Sequence, residues 1–297
     1  MKQMNPAHLL LAAAALATIP GARVWADPPA KLKIVFIAYE NPDQLVDDVK
    51  PVVNHLEDAL QMAIKYFVAS DYAAVVEAFR NSTADLGFMG PLQYCMAHEQ
   101  TGAYPILGEV YNGKPTYTSR IFVHSDSAIK TPADLRGKTI AFVDPISSSG
   151  YMYPLDIFKD RGLIRTRDDA DKFFKRIYFA GGDEQAIRAV VNKFVDAAGI
   201  GQYAYSLLKL EERDSVRIIS ESRPIPSHCV VVRKELDKTT VDKVRDTLYA
   251  LNEGPNRQLL KYLYNVDGYI KVTHSDYERV EQVAREYGFL KKKKAKD

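Results

Sequence analysis

The sequence predicts an α/β protein of two lobes with a ligand cleft between them. Three observations carry this. Strands and helices alternate through the first third of the chain, the alternation begins afresh after residues 117–124, and a late extended segment returns toward the first half. At 297 residues a single core nears its upper size, so two lobes are the natural partition.

Residues 31–38 (KLKIVFIA) form a short apolar run rich in β-branched and aromatic residues. Asn41, Pro42 and Asp43 then open a helix with apolar positions Leu45, Val49, Val52, Val53, Leu56 and Leu60. A strand at 64–69 precedes a helix capped by Ser70-Asp71 and running to Arg80. A third strand covers 85–89, and Gly90-Pro91 starts another helix with proline at its favoured first position. This alternation predicts a largely parallel sheet covered by helices. In the second half, a short helix capped at Thr131, strands at 139–143, 175–180 and 195–200, and a helix over 184–193 repeat the pattern. Extended segments at 215–219 and 229–233 flank Pro224-Ile225-Pro226, and helix is expected over 239–263 and 275–288. The chain thus crosses between lobes twice. Residues 27–119 with 222–297 are expected in lobe one, and 120–221 in lobe two.

Residues 1–26 read as a secretory signal: Lys2 in the basic region, an apolar stretch over 9–19, and Val24-Trp25-Ala26 as a small-x-small cleavage site. Eleven apolar residues fall short of the roughly 20 that span a bilayer, so a soluble periplasmic protein is expected. Removing Lys2 and Arg23 with the leader leaves 38 basic against 38 acidic residues. A neutral chain lacks the basic surface that nucleic-acid binding requires. Cys95 and Cys229 are the only cysteines. Two do not build a disulfide fold; they either pair or pack as small apolar side chains. The lysine-rich tail, 291–296, reads as a solvated end.

The most informative segment runs from Asp144 through Tyr151 (DPISSSGY), between a strand and a helix. It places three hydroxyls, Ser147, Ser148 and Ser149, at a helix start, where backbone N–H groups are unpaired and the dipole is positive. That suits a tetrahedral oxyanion; a serine-rich cap without a ligand is the alternative. A micromolar ligand needs about 8 kcal/mol. Each hydrogen bond to a charged group supplies roughly 1.5–3 kcal/mol and the helix end about 0.3–2. Several donors must therefore converge. Tyr72 at a helix start, with Tyr117 and Ser119 at the first crossing, are the further candidates.

At these residues the chain resembles the periplasmic binding proteins for phosphonate, phosphite and related oxyanions that serve ABC importers. The similar motifs occur in order: Ser70-Asp71-Tyr72-Ala73, residues 85–91, Tyr117-Thr118-Ser119, Asp134-Leu135-Arg136-Gly137-Lys138, and the loop Asp144-Pro145 through Gly150-Tyr151. The resemblance covers roughly residues 31–236. It implies the two-lobe (type II) periplasmic binding fold, capture of a small phosphorus oxyanion for a membrane ABC permease, no catalysis, no cofactor or metal, and a monomer.

Two departures from the family pattern bear on specificity. Where the family usually has a donor histidine, this chain has Asp183. An ionised carboxylate cannot donate, so Asp183 favours a ligand that carries a proton. Where aminophosphonate binders use acidic residues, this chain has Tyr203 and His228, which speaks against an aminoalkyl ligand. Cys95 suggests an alternative taken from relatives that bind arsenite and report to a membrane histidine kinase, because a thiol beside an acceptor carboxylate suits neutral arsenous acid. An enzyme is the third reading. It would draw on His98, His124, His228 and Asp183, but no nucleophile elbow, HExxH or clustered metal ligands support it.

Overall fold

The computed structural model describes residues 31–37 and 42–291. The expected leader and its cleavage site, the turn residue Asn41 and the lysines of 292–296 lie outside the described residues.

The chain begins with β1 (Lys31–Ile37), α1 (Pro42–Leu60), β2 (Ala63–Ala69), α2 (Tyr72–Arg80), β3 (Leu86–Met89), α3 (Pro91–Thr101), β4 (Tyr104–Val110) and the short β5 (Thr116–Tyr117). The second half holds β6 (Ser119–His124), β7 (Thr139–Phe142), α4 (Tyr153–Asp160), α5 (Ala170–Phe173), β8 (Arg176–Phe179), α6 (Asp183–Val191), β9 (Ala197–Gly201) and β10 (Val216–Glu221). The return passes through β11 (Ile225–Pro226) and β12 (Cys229–Val232) to α7 (Lys238–Tyr249), β13 (Gly268–Lys271) and α8 (Glu278–Glu286).

Two sheets result. The first has six strands ordered β13-β4-β12-β3-β1-β2, and the second has five ordered β10-β6-β9-β7-β8. Where the chain leaves the first sheet and comes back, β5 and β11 pair antiparallel, Tyr117 opposite Ile225. β1 is buried on both faces, with Ile34, Val35 and Phe36 all inaccessible, as expected of a strand covered on two sides. On one side Val49, Val52, Val53 and Leu56 of α1 join Leu32, Ile34 and Phe36 in one core. On the other, Val75 and Phe79 of α2 pack with Val35 and Ile37.

Three expectations need correction. Neither sheet is largely parallel. β1 runs parallel to β2 and β3, but β12 is antiparallel to both β3 and β4. In the second sheet β7 is parallel to β8 and β9, while β6 is antiparallel to β9 and β10. β4 and β13 were not anticipated, because Pro105 and Gly108 in β4 break the β-branched pattern that marks a strand. The expected long helix over 239–263 ends at Tyr249 and continues only as 3₁₀ turns at Ala250–Asn252 and Arg257–Tyr262. Between them lies Gly254, in the left-handed region at φ 78°, followed by Pro255, a pairing that stops a helix.

Candidate functional site

The serine loop follows β7 and does not enter α4 directly. Ser148–Met152 form one π-helical turn before α4 begins at Tyr153, a local widening that recurs at functional sites. Ser147 caps this turn, its hydroxyl accepting from the Gly150 amide at 3.0 Å. The Gly150 carbonyl accepts from the Val143 amide at 2.9 Å, which folds the loop back onto the end of β7. The approach is so close that a Cβ on Gly150 would lie 2.4 Å from the Val143 side chain. Glycine is therefore needed for proximity here.

α3 approaches from the first sheet. Its cap residue Gly90 and Pro91 at the first position bring the helix start against the serines. The Leu92 amide donates to the Ser148 hydroxyl at 2.9 Å, and Gln93 Nε2 donates to the Ile146 carbonyl at 2.9 Å. Tyr117, on β5, places its phenol within hydrogen-bonding reach of the Ser149 and Ser148 side chains. Burial pushes that phenol above its ordinary range, so it stays protonated and able to donate. Asp183 opens α6, with Oδ1 accepting from the Gly201 amide at 3.0 Å. A Cβ on Gly201 would stand 3.2 Å from Ser149 Oγ and 3.5 Å from Asp183 Oδ1, so serine and carboxylate flank one glycine. Loss of water around Asp183 raises its carboxyl to about 6, opposed by the Gly201 hydrogen bond.

These groups meet in one cleft of about 740 Å³, lined from both sheets and including Tyr72, Tyr117, Ser147, Ser148, Ser149 and Asp183. Six of the eight residues expected at the site are thus brought together. Ser119 is a correction. It is fully buried, and its hydroxyl donates to the Ser149 carbonyl at 2.7 Å, so it supports the loop from behind and does not line the cleft. Cys95 is the second correction. Its side chain is 1% exposed and lies in the fields of Glu281 and Arg285 on α8, with burial pushing its thiol up. Gln93 lines the cleft, and two residues further along a helix the side chain points about 200° away. Cys229 is also free and buried, and burial drives its thiol upward too. Neither thiol is in the cleft lining, which removes the structural basis of the arsenite reading.

Several lining residues were not anticipated. Gln93 and Arg120 line the cleft, and so do Asp48 and Asp267. The last two add carboxylates to the lining that Tyr203 and His228 share, so the exclusion of an aminoalkyl ligand loses its premise. Tyr111, Tyr203, Tyr117 and His228 follow one another ring to ring at 5.4, 6.4 and 5.3 Å. Behind His228, Glu109 is fully buried, accepts from the Tyr111 hydroxyl at 2.9 Å and lies 3.6 Å from His228 Nδ1. Burial lifts Glu109 to about 8 and lowers His228 to about 4, so the contact at neutral pH joins two uncharged groups. The sequence offered no spacing signal for this pair, since its partners come from β4 and the residue that precedes β12.

Two mixed sheets joined by paired crossing strands, with polar groups from both facing one cleft, define a bilobal ligand-binding protein. Residues 34–277 match the family described as ABC transporter, phosphonate, periplasmic substrate-binding protein, and the chain belongs to that family. It is 32% identical over 174 residues to the phosphate-import protein PhnD of Mycolicibacterium smegmatis, covering 57% of this chain and 54% of that one. It is 29% identical over 235 residues to the phosphonates-binding periplasmic protein of Escherichia coli, covering 76% and 68%. The fold is similar to that of PhnD1 from Prochlorococcus marinus, solved in complex with methylphosphonate, at a TM-score of 0.77 and 20% identity over 89% of this chain and 100% of that one. Among the described residues no helix is long and apolar enough to cross a membrane, and no group of three or more His, Cys, Asp or Glu side chains could hold a metal ion.

Proposed function

We propose that this chain captures a small tetrahedral phosphorus oxyanion (phosphate, phosphite or a phosphonate) in the periplasm and delivers it to the membrane permease of an ABC importer, without chemical change to the ligand. The observation that carries this reading is the convergence, in one cleft, of Ser147, Ser148 and Ser149 with the Tyr117 phenol and the start of α3. Three or more hydrogen bonds to a charged ligand, at roughly 1.5–3 kcal/mol each, are on the scale of micromolar binding. Serines and amides at helix starts provide them without a net positive charge. Tyr72 joins from α2, and Ser119 holds the Ser149 carbonyl in place.

The lobes in this reading are residues 27–119 with 222–297, and 120–221. The Leu92–Ser148 hydrogen bond links them across the cleft, as a closed form requires, and a ligand that touches both sides favours closure. Titration calorimetry with phosphate, phosphite and methylphosphonate tests the proposal. Micromolar or tighter binding of at least one is expected, and absence of binding by all three overturns it.

A further inference from the structure

The oxyanion site also presents hydrogen-bond acceptors, one from each side of the cleft. Asp183 Oδ1 is engaged by the Gly201 amide, whereas its Oδ2 takes no hydrogen bond among the described residues. Opposite, Gln93 is 1% exposed, and its amide is oriented by the bond from Nε2 to the Ile146 carbonyl. That leaves Oε1 buried without a partner, beside Gly90, where a Cβ would lie 2.3 Å from it. Buried acceptors without donors are costly and rare. Gln93 Oε1 is one such atom, and together with the Asp183 oxygen left without a hydrogen bond on the same cleft lining it calls for a ligand that donates.

We infer that the site selects the proton-bearing form of its oxyanion, with Asp183 Oδ2 and Gln93 Oε1 placed to accept from ligand hydroxyl groups, and that it rejects fully ionised tetrahedral anions such as sulfate and alkylsulfonates. This rests on the oxyanion-capture reading above and specifies its substrate class. An aprotic anion of the same shape leaves the acceptors unpaired and sets a carboxylate against a sulfonate oxygen. Sites built to bond a ligand hydroxyl discriminate strongly against analogues that lack it.

The other charged groups lining the cleft are Asp48, Arg120 and Asp267, the other titratable ones are His228 and the phenols of Tyr72, Tyr111, Tyr117, Tyr203, Tyr205 and Tyr264, and Tyr117 lies in the field of Asp183. His228, lowered to about 4, stays neutral over the pH range of interest. Asp183, raised to about 6, is ionised at pH 8 and protonated at pH 5. Once protonated it can donate to a sulfonate.

The test compares methylphosphonate with its near-isostere methanesulfonate by calorimetry. At pH 8 the wild-type chain is expected to favour methylphosphonate by about 100-fold or more. Lowering the pH to 5 is expected to strengthen methanesulfonate binding by about tenfold or more, because each proton required makes affinity pH-dependent. Asp183→Asn, whose amide can donate, is expected to narrow the pH 8 preference to about tenfold or less. Methanesulfonate binding within about threefold of methylphosphonate at pH 8, or sulfonate affinity flat between pH 8 and 5, overturns the inference while leaving oxyanion capture standing. The pH series on wild-type protein decides the matter even if Asp183→Asn does not fold. Failure of methylphosphonate, phosphate and phosphite alike to bind would instead remove the underlying reading.

Discussion

The two sides of the cleft contribute to the site by different means. On the side of the second sheet, Ser147, Ser148 and Ser149 are consecutive, held by a π-helical turn and by Gly150 against Val143. On the side of the first sheet, the Leu92 main-chain amide at the start of α3 donates to the Ser148 hydroxyl and so leaves that hydroxyl's own proton for the cleft, while the neighbouring side chain, Gln93, presents an acceptor. One wall depends on side-chain identity, and the other depends on where a helix begins. Substitutions should therefore hurt the serine wall at the residue level and the α3 wall only where the backbone moves.

Gly150→Val should break the comparison most severely. The added side chain collides with Val143 and displaces all three serines together, so methylphosphonate affinity is expected to fall about 100-fold or more, on the scale of losing two charge-assisted hydrogen bonds. Calorimetry beside a thermal melt separates that loss from unfolding. Next, Ser148→Ala removes one hydroxyl and the acceptor of the Leu92 amide, with an expected loss of about tenfold or more. Unchanged affinity would take the loop out of the site. Gly201→Ala should cost less, about threefold to tenfold, because its Cβ crowds Ser149 Oγ at a contact that a small shift relieves. Smallest of all, Cys95→Ser should leave ligand affinity within about twofold while lowering the melting temperature, since it buries a hydroxyl where a thiol packed.

A further contrast lies behind the walls, in the buried Glu109. Its carboxyl is raised from 4.5 to about 8 by burial, so between those values the unfolded chain binds fewer protons than the native one. Stability from this group is complete below its unfolded value and is lost as pH rises through the folded one. His228, shifted from 6.5 down to about 4, acts in the opposite sense and only below its unfolded value. From pH 6.5 to 8, denaturant melts should therefore show stability falling with pH, and Glu109→Gln should flatten that slope.

The serine wall was legible in the sequence because its chemistry is local: three hydroxyls in a row between a strand and a helix start. Asp183 was legible as a departure from a family pattern, and Tyr72 and Tyr117 as residues at a helix start and a crossing. The α3 wall was legible only in part. Gly90-Pro91 predicted the helix start, but that Leu92 faces Ser148, 56 positions away, is a tertiary fact with no short-range signature. Cys95 is turned from the cleft by its angular position on α3, two residues beyond Gln93, and that orientation depends on how the helix sits against the cleft and has no local signature. Ser119 looks like a ligand contact in sequence because a buried serine on a strand and one lining a cleft carry the same local signal. β4 and β13 escaped notice because strand pairing across the first sheet tolerates Pro105 and Gly108, which local pattern reading takes as breaks.

Tyr117 belongs both to the two-residue ladder at the crossing and to the hydroxyl cluster of the cleft. Its ring also adjoins those of His228 and Tyr203. The chain's single tryptophan is Trp25, so a preparation starting after residue 26 emits from tyrosine alone. Ligand uptake that alters the surroundings of Tyr117 should therefore be visible as a change in intrinsic ultraviolet emission, and Tyr117→Phe should diminish that optical signal.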